Sequence, residues 1–251
     1  MRSLALLGVR IADVTPREAL AMADDGGLIL APSGPGLCEL ARDREYREAL
    51  RHSDLNLADS GLAIVLMAIR GLGRPHRLSG LGFLTELIHS ENFKHQSSFW
   101  VMPSPQSART NLAWLQEQGL AVSLQNCHLA PLYPKNGPVE DHDLLKRLME
   151  QRPRYVFLCT GSGSQEKLGH WLMTHLDYRP CIAAIGAAIA FLSGDQAPVP
   201  RWADRLCLGW LLRTFSDPSR FLPRYLAALR LIPLVLRYGA TEPPLLASPV
   251  R

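Results

Sequence analysis

The chain has 251 residues, of which 47% are hydrophobic and 20% are charged. This composition can fill a sizeable buried core and excludes a wholly disordered chain. The length suits one large α/β domain, or one domain with an appendage. The formal net charge is +4 and the isoelectric point is about 8.9. Such a mildly basic balance fits a phosphate-bearing ligand or an anionic membrane surface and establishes neither.

The cysteines and the apolar runs bear on the cellular compartment. Five scattered cysteines form no CxxC pair, which predicts core thiols in a reducing environment. No run approaches the roughly 20 apolar residues that a membrane-spanning helix needs. The apolar stretch at the start of the sequence is too short to span and lacks a small-residue cleavage site. We therefore expect a cytoplasmic protein that can lie on a membrane surface.

Strand-like and helix-like segments alternate along the chain. Residues 1–14 alternate in polarity as a first strand would. Further predicted strands cover 28–32, 54–59, 97–103, 120–127, 154–160 and 180–186. Predicted helices cover 36–50, 62–70, 105–118, 141–151 and 164–176. Helices between successive strands are typical of βαβ units, so the predicted fold class is α/β, with a Rossmann-like, mainly parallel sheet flanked by helices.

The character of the chain changes after Pro200. Residues 201–239 contain seven arginines and two aspartates among leucines and aromatic residues, and prolines interrupt them. This pattern predicts short basic, amphipathic helices that can associate with a membrane. We therefore divide the chain into an α/β core at 1–200 and a helical appendage with its tail at 201–251. The last residues, 240–251, are expected to be frayed.

Asp59 stands at the carboxyl end of a predicted strand and is followed by Ser60 and Gly61. Ligands of open α/β sheets bind at the carboxyl ends of the strands. A carboxylate there can act as a general base if it reaches the proton to be removed. An equally good alternative is that Asp59 forms an Asx turn or caps the helix predicted at 62–70. The local sequence does not decide between the two.

A Gly/Ser-rich loop, TGSGSQEK at 160–167, joins a buried strand to a helix. Its Gly161 and the small residues beside it allow backbone N–H groups to face a phosphate at the helix N-terminus. The loop matches neither the GxGxxG fingerprint of dehydrogenases nor the P-loop, so this signal is weak by itself. The structural alternative is a tight turn in which Gln165 and Glu166 open the helix.

Three arginines, Arg213, Arg220 and Arg224, stand among the aromatic residues of the appendage. Arg220 and Arg224 are four residues apart, so a helix would place them on one face. The planar guanidinium group suits a diphosphate. A basic amphipathic helix suits an anionic lipid surface equally well, and a solvated basic face is the alternative without a function.

Neither a metal site nor a nucleic-acid partner is predicted. The eight histidines are dispersed, and Asp141-His142-Asp143, which has the letters of a DxD motif, stands in a polar stretch that opens a helix. No known DNA- or RNA-binding motif is present, and the positive charge is concentrated in the appendage. We therefore expect no metal cofactor.

Three stretches together resemble the WecG/TagA/CpsF family, glycosyltransferase family 26, over roughly residues 10 to 238. They are REYREALRHSDLNLADSG at 44–61, CTGSGSQEKLGHWL at 159–172, and the long stretch from IGAAIAFLSG to LPRYL at 185–226. The resemblance implies an inverting, metal-independent transfer of a sugar from a UDP-sugar to a saccharide on a polyprenyl diphosphate. Such an acceptor implies a peripheral position on the inner face of the cytoplasmic membrane.

The resemblance also implies roles for single residues. Asp59 matches the proposed catalytic base of the family. The other matches are substrate-binding positions, namely Arg77 in HRLSG, Gly161, Gln165 and Glu166 in the loop, and Arg213, Arg220 and Arg224 in an appendage thought to close the site and touch the membrane.

Two of the places where the chain departs from the family pattern bear on its substrates. Residues 32–35 are Pro-Ser-Gly-Pro, where family members often carry Thr-x-Asn-Pro, and Gly82 replaces a common aspartate. The ADSG and SGLGFL forms resemble a branch associated with exopolysaccharide assembly, in which a hexose can replace an N-acetylated or uronic sugar. The lost polar groups leave a second hypothesis, a non-catalytic relative that binds nucleotide or lipid in an assembly complex. An appendage rich in Leu and Trp also allows a homo-oligomer.

Overall fold

The computed structural model describes residues 2–196 and 218–246. An antiparallel hairpin comes first, with β1 at Ser3–Leu6 and β2 at Val9–Ala12. The remaining strands are β3 Gly27–Leu30, β4 Leu55–Asn56, β5 Ser98–Met102, β6 Cys127–Leu129, β7 Tyr155–Leu158 and β8 Cys181–Ala184. These six form one sheet in the order β4-β3-β8-β7-β5-β6, and each neighbouring pair is parallel. The predicted α/β fold class is confirmed.

Helices connect the parallel strands and flank the sheet. They are α1 Pro16–Asp25, α2 Gly34–Cys38, α3 Arg44–His52, α4 Gly61–Ile69, α5 Gly80–His89, α6 Glu91–Lys94, α7 Pro105–Glu117, α8 His142–Gln151, α9 Ser164–His175, α10 Ala188–Ser193, α11 Pro218–Ala228 and α12 Leu231–Tyr238. Several begin behind a side chain that accepts a hydrogen bond from the first turn, as Thr15 does for α1 and Ser79 for α5. Such caps satisfy N–H groups that have no partner inside the helix.

Alternate residues of the central strands build two apolar cores, because successive side chains point to opposite faces of a sheet. Val156 and Leu158 of β7 belong to one core. Phe157, the residue between them, belongs to the other, where it stacks on Trp100 with 4.1 Å between the ring centroids. Burial on both faces explains why the strand predicted at 154–160 is a continuous apolar run.

Residues 3–12 form a hairpin, so the single strand expected from the alternation of residues 1–14 is wrong. The turn consists of Leu7 and Gly8, with φ of 50° and 82°. Leucine rarely adopts a positive φ, which is why the sequence carries no recognisable turn signal here. The side chain of Leu7 is fully buried, and this burial offsets the cost of the turn.

Two other predicted elements differ from the structure. The helix predicted at 36–50 is divided into α2, a 3-10 turn at Glu39–Ala41 and α3, because Asp43 caps a new helix there. The strand predicted at 120–127 is wrong, since Leu120 and Val122 are buried outside the sheet and β6 begins only at Cys127. Gln116 of α7 donates a hydrogen bond to the Val122 carbonyl at 2.7 Å.

The C-terminal helices pack on the α/β core. Leu231 and Val235 of α12 are fully buried and belong to one of the two apolar clusters. After α12, Glu242 forms an ion pair with Arg47 at 2.6 Å, and the Leu246 N–H donates to the Ala41 carbonyl at 2.8 Å. Residues 240–246 are therefore bound to the core rather than frayed. The boundary predicted at 200 falls outside the described residues.

None of the helices in the described ranges combines the length and the hydropathy needed to cross a membrane.

Candidate active site

The candidate residues follow strands that end at one edge of the sheet. Because the six strands are parallel, their carboxyl ends share this edge. Asp59 follows β4, and a segment starting at Ala31 follows β3. The Gly/Ser-rich loop follows β7, and Gly186 follows β8. The fold therefore brings Asp59 and the loop to the same edge, where ligands of such sheets bind.

Asp59 is partly exposed and lines a small cleft together with Pro32. Its Oδ1 accepts a hydrogen bond from the Gly80 N–H at 3.1 Å. Gly80 is the first residue of α5, so the carboxylate lies at the helix end that stabilises negative charge. Ser60 caps α4 by accepting from the Ala63 N–H at 3.2 Å. The alternative in which Asp59 caps this helix is therefore wrong.

The segment after β3 lies between Ser60 and the Gly/Ser-rich loop. A Cβ atom on Gly34 would lie 3.1 Å from Ser60 Oγ, and one on Gly36 would lie 2.8 Å from Ser162 Oγ. Ser33 Oγ itself contacts Ser162 Oγ at 3.5 Å. The two glycines let the backbone approach both neighbours closely. A side chain at Gly36 would also displace the buried Tyr46 hydroxyl, which lies 2.6 Å from the same Cβ position.

Gln165 connects the loop after β7 to the loop after β8. It is 2% exposed, and its Oε1 accepts from the Gly186 N–H at 3.0 Å. Gly163 is the N-cap residue before α9 and has a φ of 101°, a conformation that favours glycine. Gly161 is exposed, with open space around its Cβ position. The loop is thus anchored at its helical end and accessible at Gly161, whose role in substrate binding stays a prediction.

Glu166 is fully buried and accepts hydrogen bonds from three groups of the Gly/Ser-rich loop. Its Oε2 accepts from the Gly163 N–H at 2.7 Å, and its Oε1 accepts from Ser162 Oγ and Gln165 Nε2, both at 3.3 Å. Burial raises the pKa of this carboxyl group, although its hydrogen bonds act in the opposite direction. These contacts favour the structural alternative, in which Glu166 opens the helix and shapes the loop.

Substituting Glu166 with glutamine should change the pH dependence of stability. A raised pKa means that the native state binds the proton more tightly than the unfolded state, whose pKa is about 4.3. The wild-type protein therefore loses stability as the pH rises from about 4.3 through the native pKa, and the variant lacks this loss. Thermal unfolding measured at several pH values above about 4.3 should show the wild-type melting temperature falling relative to that of the variant as the pH rises. A constant difference would contradict the prediction.

Three of the four predicted arginines lie within the described residue ranges. Arg77 lies in the segment that leads into α5, three residues before Gly80, and is partly buried. Arg220 and Arg224 belong to α11, whose end meets α2 where Cys38 Sγ lies 3.8 Å from the Ala227 carbonyl oxygen. Helix α11 therefore docks beside the segment that follows β3. The fourth arginine of the prediction, at position 213, lies outside the described residues, and all four roles stay predictions.

A larger cleft of about 240 Å³ lies elsewhere, between α3 and α9. Arg44, Glu48, His170 and Trp171 are among the residues that line it. Asp59 is not among them, whereas Pro138 and Val139, from the segment between β6 and α8, are. We place the candidate site at the smaller cleft because the Asp59 carboxylate and the segments that follow β3 and β4 line it.

Within the described ranges, no group of three or more His, Cys, Asp or Glu side chains is arranged to hold a metal ion. Asp141 instead caps α8 by accepting from the Leu144 N–H at 2.9 Å. The described cysteines are buried and free, and burial raises the thiol pKa to about 11 in Cys38 and Cys127. Such thiols behave as core groups. Cys207 lies outside the described residues.

The comparison with known proteins decides the family. The model of the "Glycosyl transferase WecG/TagA/CpsF family" matches residues 4–243. The chain belongs to the WecG/TagA/CpsF family of glycosyltransferases. Similar curated proteins from Staphylococcus aureus strains MW2 and MRSA252 are both named N-acetylglucosaminyldiphosphoundecaprenol N-acetyl-beta-D-mannosaminyltransferase. Each is 23% identical over 198 residues, which is 77% of this chain and 74% of the relative.

Membership in the WecG/TagA/CpsF family makes this chain a hexosyltransferase of polysaccharide biosynthesis. It also accounts for the four strand-end segments at one sheet edge, since a transferase must hold two substrates beside one reactive group. Gly80 could not be predicted as the partner of Asp59, because a backbone N–H donor leaves no side-chain signature. The hydrogen bond between Gln165 and the Gly186 N–H could not be predicted for the same reason.

Proposed function

We propose that the chain is an inverting, metal-independent transferase that moves a sugar from a UDP-sugar to a saccharide on a polyprenyl diphosphate. The position of Asp59 carries the proposal. Its carboxylate lies at the carboxyl edge of a parallel sheet, at the N-terminus of α5 and near the Gly/Ser-rich loop. The polar groups at this edge, in a chain of this family, suit a nucleotide-sugar and its acceptor.

Asp59 acts as the general base in this proposal. The carboxylate takes the proton of an acceptor hydroxyl while the hydroxyl oxygen attacks the anomeric carbon of the donor. A new C–O bond forms as the bond from this carbon to the diphosphate breaks, and the electron pair leaves with UDP. Attack from the side opposite the leaving group inverts the anomeric configuration.

The departing diphosphate needs positive charge. Arg77 precedes α5 close to Gly80, and Arg220 and Arg224 belong to the helix that docks on α2. Guanidinium groups bind phosphate oxygens with two parallel hydrogen bonds, and charge placed where charge develops lowers the barrier. We assign the leaving-group role to these arginines together with Arg213, without a metal cofactor.

The names of the relatives suggest the substrates. Those proteins transfer N-acetyl-β-D-mannosamine to N-acetylglucosaminyl-diphosphoundecaprenol. We propose an acceptor of the same class, a monosaccharide on a polyprenyl diphosphate, and a UDP-hexose or UDP-N-acetylhexosamine donor. Residues 32–35 of this chain, Pro-Ser-Gly-Pro, have fewer polar side chains than the Thr-x-Asn-Pro pattern of the family. This difference favours a donor with fewer polar substituents and a role in exopolysaccharide assembly.

We further propose that the protein lies on the inner face of the cytoplasmic membrane through an apolar surface of α4 and α12. Val65 and Ile69 are one turn apart on α4 and are 55% and 69% exposed. Leu236 of α12 is 47% exposed and lies beside them, because Arg70 donates a hydrogen bond to its carbonyl at 3.1 Å. Leu222, Leu226 and Leu229, in and after α11, are exposed as well.

Basic residues border this surface. Arg70, Arg230 and Arg237 are exposed beside the apolar side chains. Anionic lipid attracts such arginines, with about 1 kcal/mol per basic residue close to the bilayer. An apolar patch with a basic border fits an anionic membrane better than a neutral one, and it brings the site towards a lipid-linked acceptor.

A transfer assay tests the proposed reaction. Purified protein is incubated with UDP-glucose, UDP-N-acetylglucosamine or UDP-N-acetylmannosamine and a synthetic polyprenyl-diphosphate monosaccharide, with EDTA present. We expect a product that is heavier by one sugar, detected by mass spectrometry, with an inverted anomeric centre by NMR. A product that requires added Mg²⁺ would contradict the metal-independent mechanism. Binding of UDP without transfer from any donor would favour the non-catalytic relative.

A further inference from the structure

Lys167 carries a buried positive charge in the first turn of α9, two residues after Gln165. Its side chain is only 1% exposed. The Nζ atom lies 2.9 Å from Asp43 Oδ2, and it donates to the carbonyls of Lys135 at 3.0 Å and Gly137 at 2.9 Å. An ammonium group has three N–H donors, so these three oxygens satisfy it completely. All three contacts are with protein groups. Lys167 thereby connects the start of α3, the segment between β6 and α8, and the Gly/Ser-rich loop with the first turn of α9.

The first of these segments is the start of α3. Asp43 caps this helix, because its Oδ1 accepts from the Tyr46 N–H at 2.9 Å. The other carboxylate oxygen is the one that pairs with Lys167. One carboxylate thus fixes the first turn of α3 and the first turn of α9 relative to each other. Burial makes this contact costly to break from one side only.

The second segment, which we call the rim segment, comprises residues 130–140 between β6 and α8. Its far end is fixed by Asp141, whose Oδ2 accepts from Tyr133 Oη at 2.7 Å and from His128 Nε2 at 3.0 Å. Its middle, at Lys135 and Gly137, reaches Lys167, although β6 is separated from β7 by β5. The rim segment therefore runs along the carboxyl edge of the sheet towards the Gly/Ser-rich loop, and Lys167 holds it there.

The third segment is the Gly/Ser-rich loop with the first turn of α9. Gln165 anchors this turn to Gly186 on one side, and Lys167 anchors it to Asp43 and the rim segment through different atoms. We infer that Lys167 is a positioning residue of the transferase, which fixes the loop that holds the nucleotide-sugar. This inference rests on the proposed function, because it assumes that the loop contacts the donor.

The test uses the double variant Lys167→Met with Asp43→Asn. Asparagine still caps α3, and a methionine beside it avoids an unpaired buried charge, so the melting temperature should stay close to that of the wild-type protein. We expect backbone amides of residues 161–167 and of the rim segment to exchange hydrogen more than roughly tenfold faster. We also expect kcat/KM for the UDP-sugar to fall more than about tenfold, mainly through KM.

The matched control is the double variant Arg47→Met with Glu242→Gln. Arg47 is also a buried cation that binds one carboxylate and backbone carbonyls, those of Leu40 and Pro243, but it does not contact the loop. It should leave amide exchange at 161–167 unchanged. Unchanged exchange in the Lys167 variant would overturn the inference, whether or not transfer is detected. Faster exchange with unchanged kinetics would overturn it as well. Absence of transfer in the wild-type protein would refute the proposed function, and the exchange measurement would still decide the role of Lys167.

Discussion

Replacing Asp59 with asparagine should lower the rate of sugar transfer by a factor of about 10²–10⁴, the usual contribution of a general base. Asparagine has nearly the same shape, and its amide oxygen can still accept from the Gly80 N–H as Oδ1 does. The fold should therefore stay intact while the proton acceptor is lost. Initial rates with saturating donor and acceptor measure the effect, and thermal unfolding checks the fold.

Asp54→Asn is the matched control for this experiment. Asp54 stands just before β4, at the opposite end of the strand from Asp59. Its carboxylate accepts from the Leu28 N–H at 2.8 Å and pairs with Arg179 at 2.6 Å. This substitution should cost some stability and leave transfer unchanged. A similar loss of rate in both variants, or full activity in the Asp59 variant, would show that Asp59 is not the base.

Replacing Val65 and Ile69 together with glutamine should weaken binding to anionic vesicles by more than roughly tenfold. Burial of an aliphatic side chain contributes about 1.5–3 kcal/mol, and both side chains are more than half exposed, so the fold should tolerate the change. Sedimentation with vesicles of phosphatidylglycerol and phosphatidylcholine in about equal amounts measures binding. Transfer to a water-soluble, short-chain acceptor should change little, whereas transfer to an acceptor within vesicles should fall.

The control variant replaces Leu124 and Leu132 with glutamine. These leucines are also exposed, at 69% and 102%, but they lie near β6 at the other end of the sheet. Their loss should not affect vesicle binding. Equal binding by both variants and the wild-type protein would remove α4 from the membrane-facing surface.

Much of the fold could be predicted because the central strands are buried on both faces. Residues 155–159 are all buried, as expected for a strand of a parallel sheet that helices cover on both faces. The alternation of apolar residues at 120–127 led to a wrong strand prediction for a related reason. Leu120 and Val122 are buried, as alternate residues of a strand would be, but they pack below α7. Periodicity reports burial and does not report hydrogen-bond partners.

The site could be predicted only in part. Asp59 and the Gly/Ser-rich loop stand out because a carboxylate and glycines follow predicted strands. The family resemblance places Glu166 among the substrate-binding positions, yet its carboxylate is fully used by the loop itself. Lys167 gave no signal at all, since its three partners come from distant segments and two of them are carbonyls. Contacts of this kind are fixed by the tertiary fold and have no local pattern.

The hairpin at the start of the chain and the segment after α12 are bound to each other. The N–H groups of Leu7 and Gly8 donate to the carbonyls of Gly239 and Ala240, and a Cβ atom on Gly8 would come within 2.7 Å of Glu242. During synthesis the ribosome releases the hairpin long before it releases this partner. The hairpin can form these hydrogen bonds, and the enzyme can complete its folding, only after translation has passed residue 242.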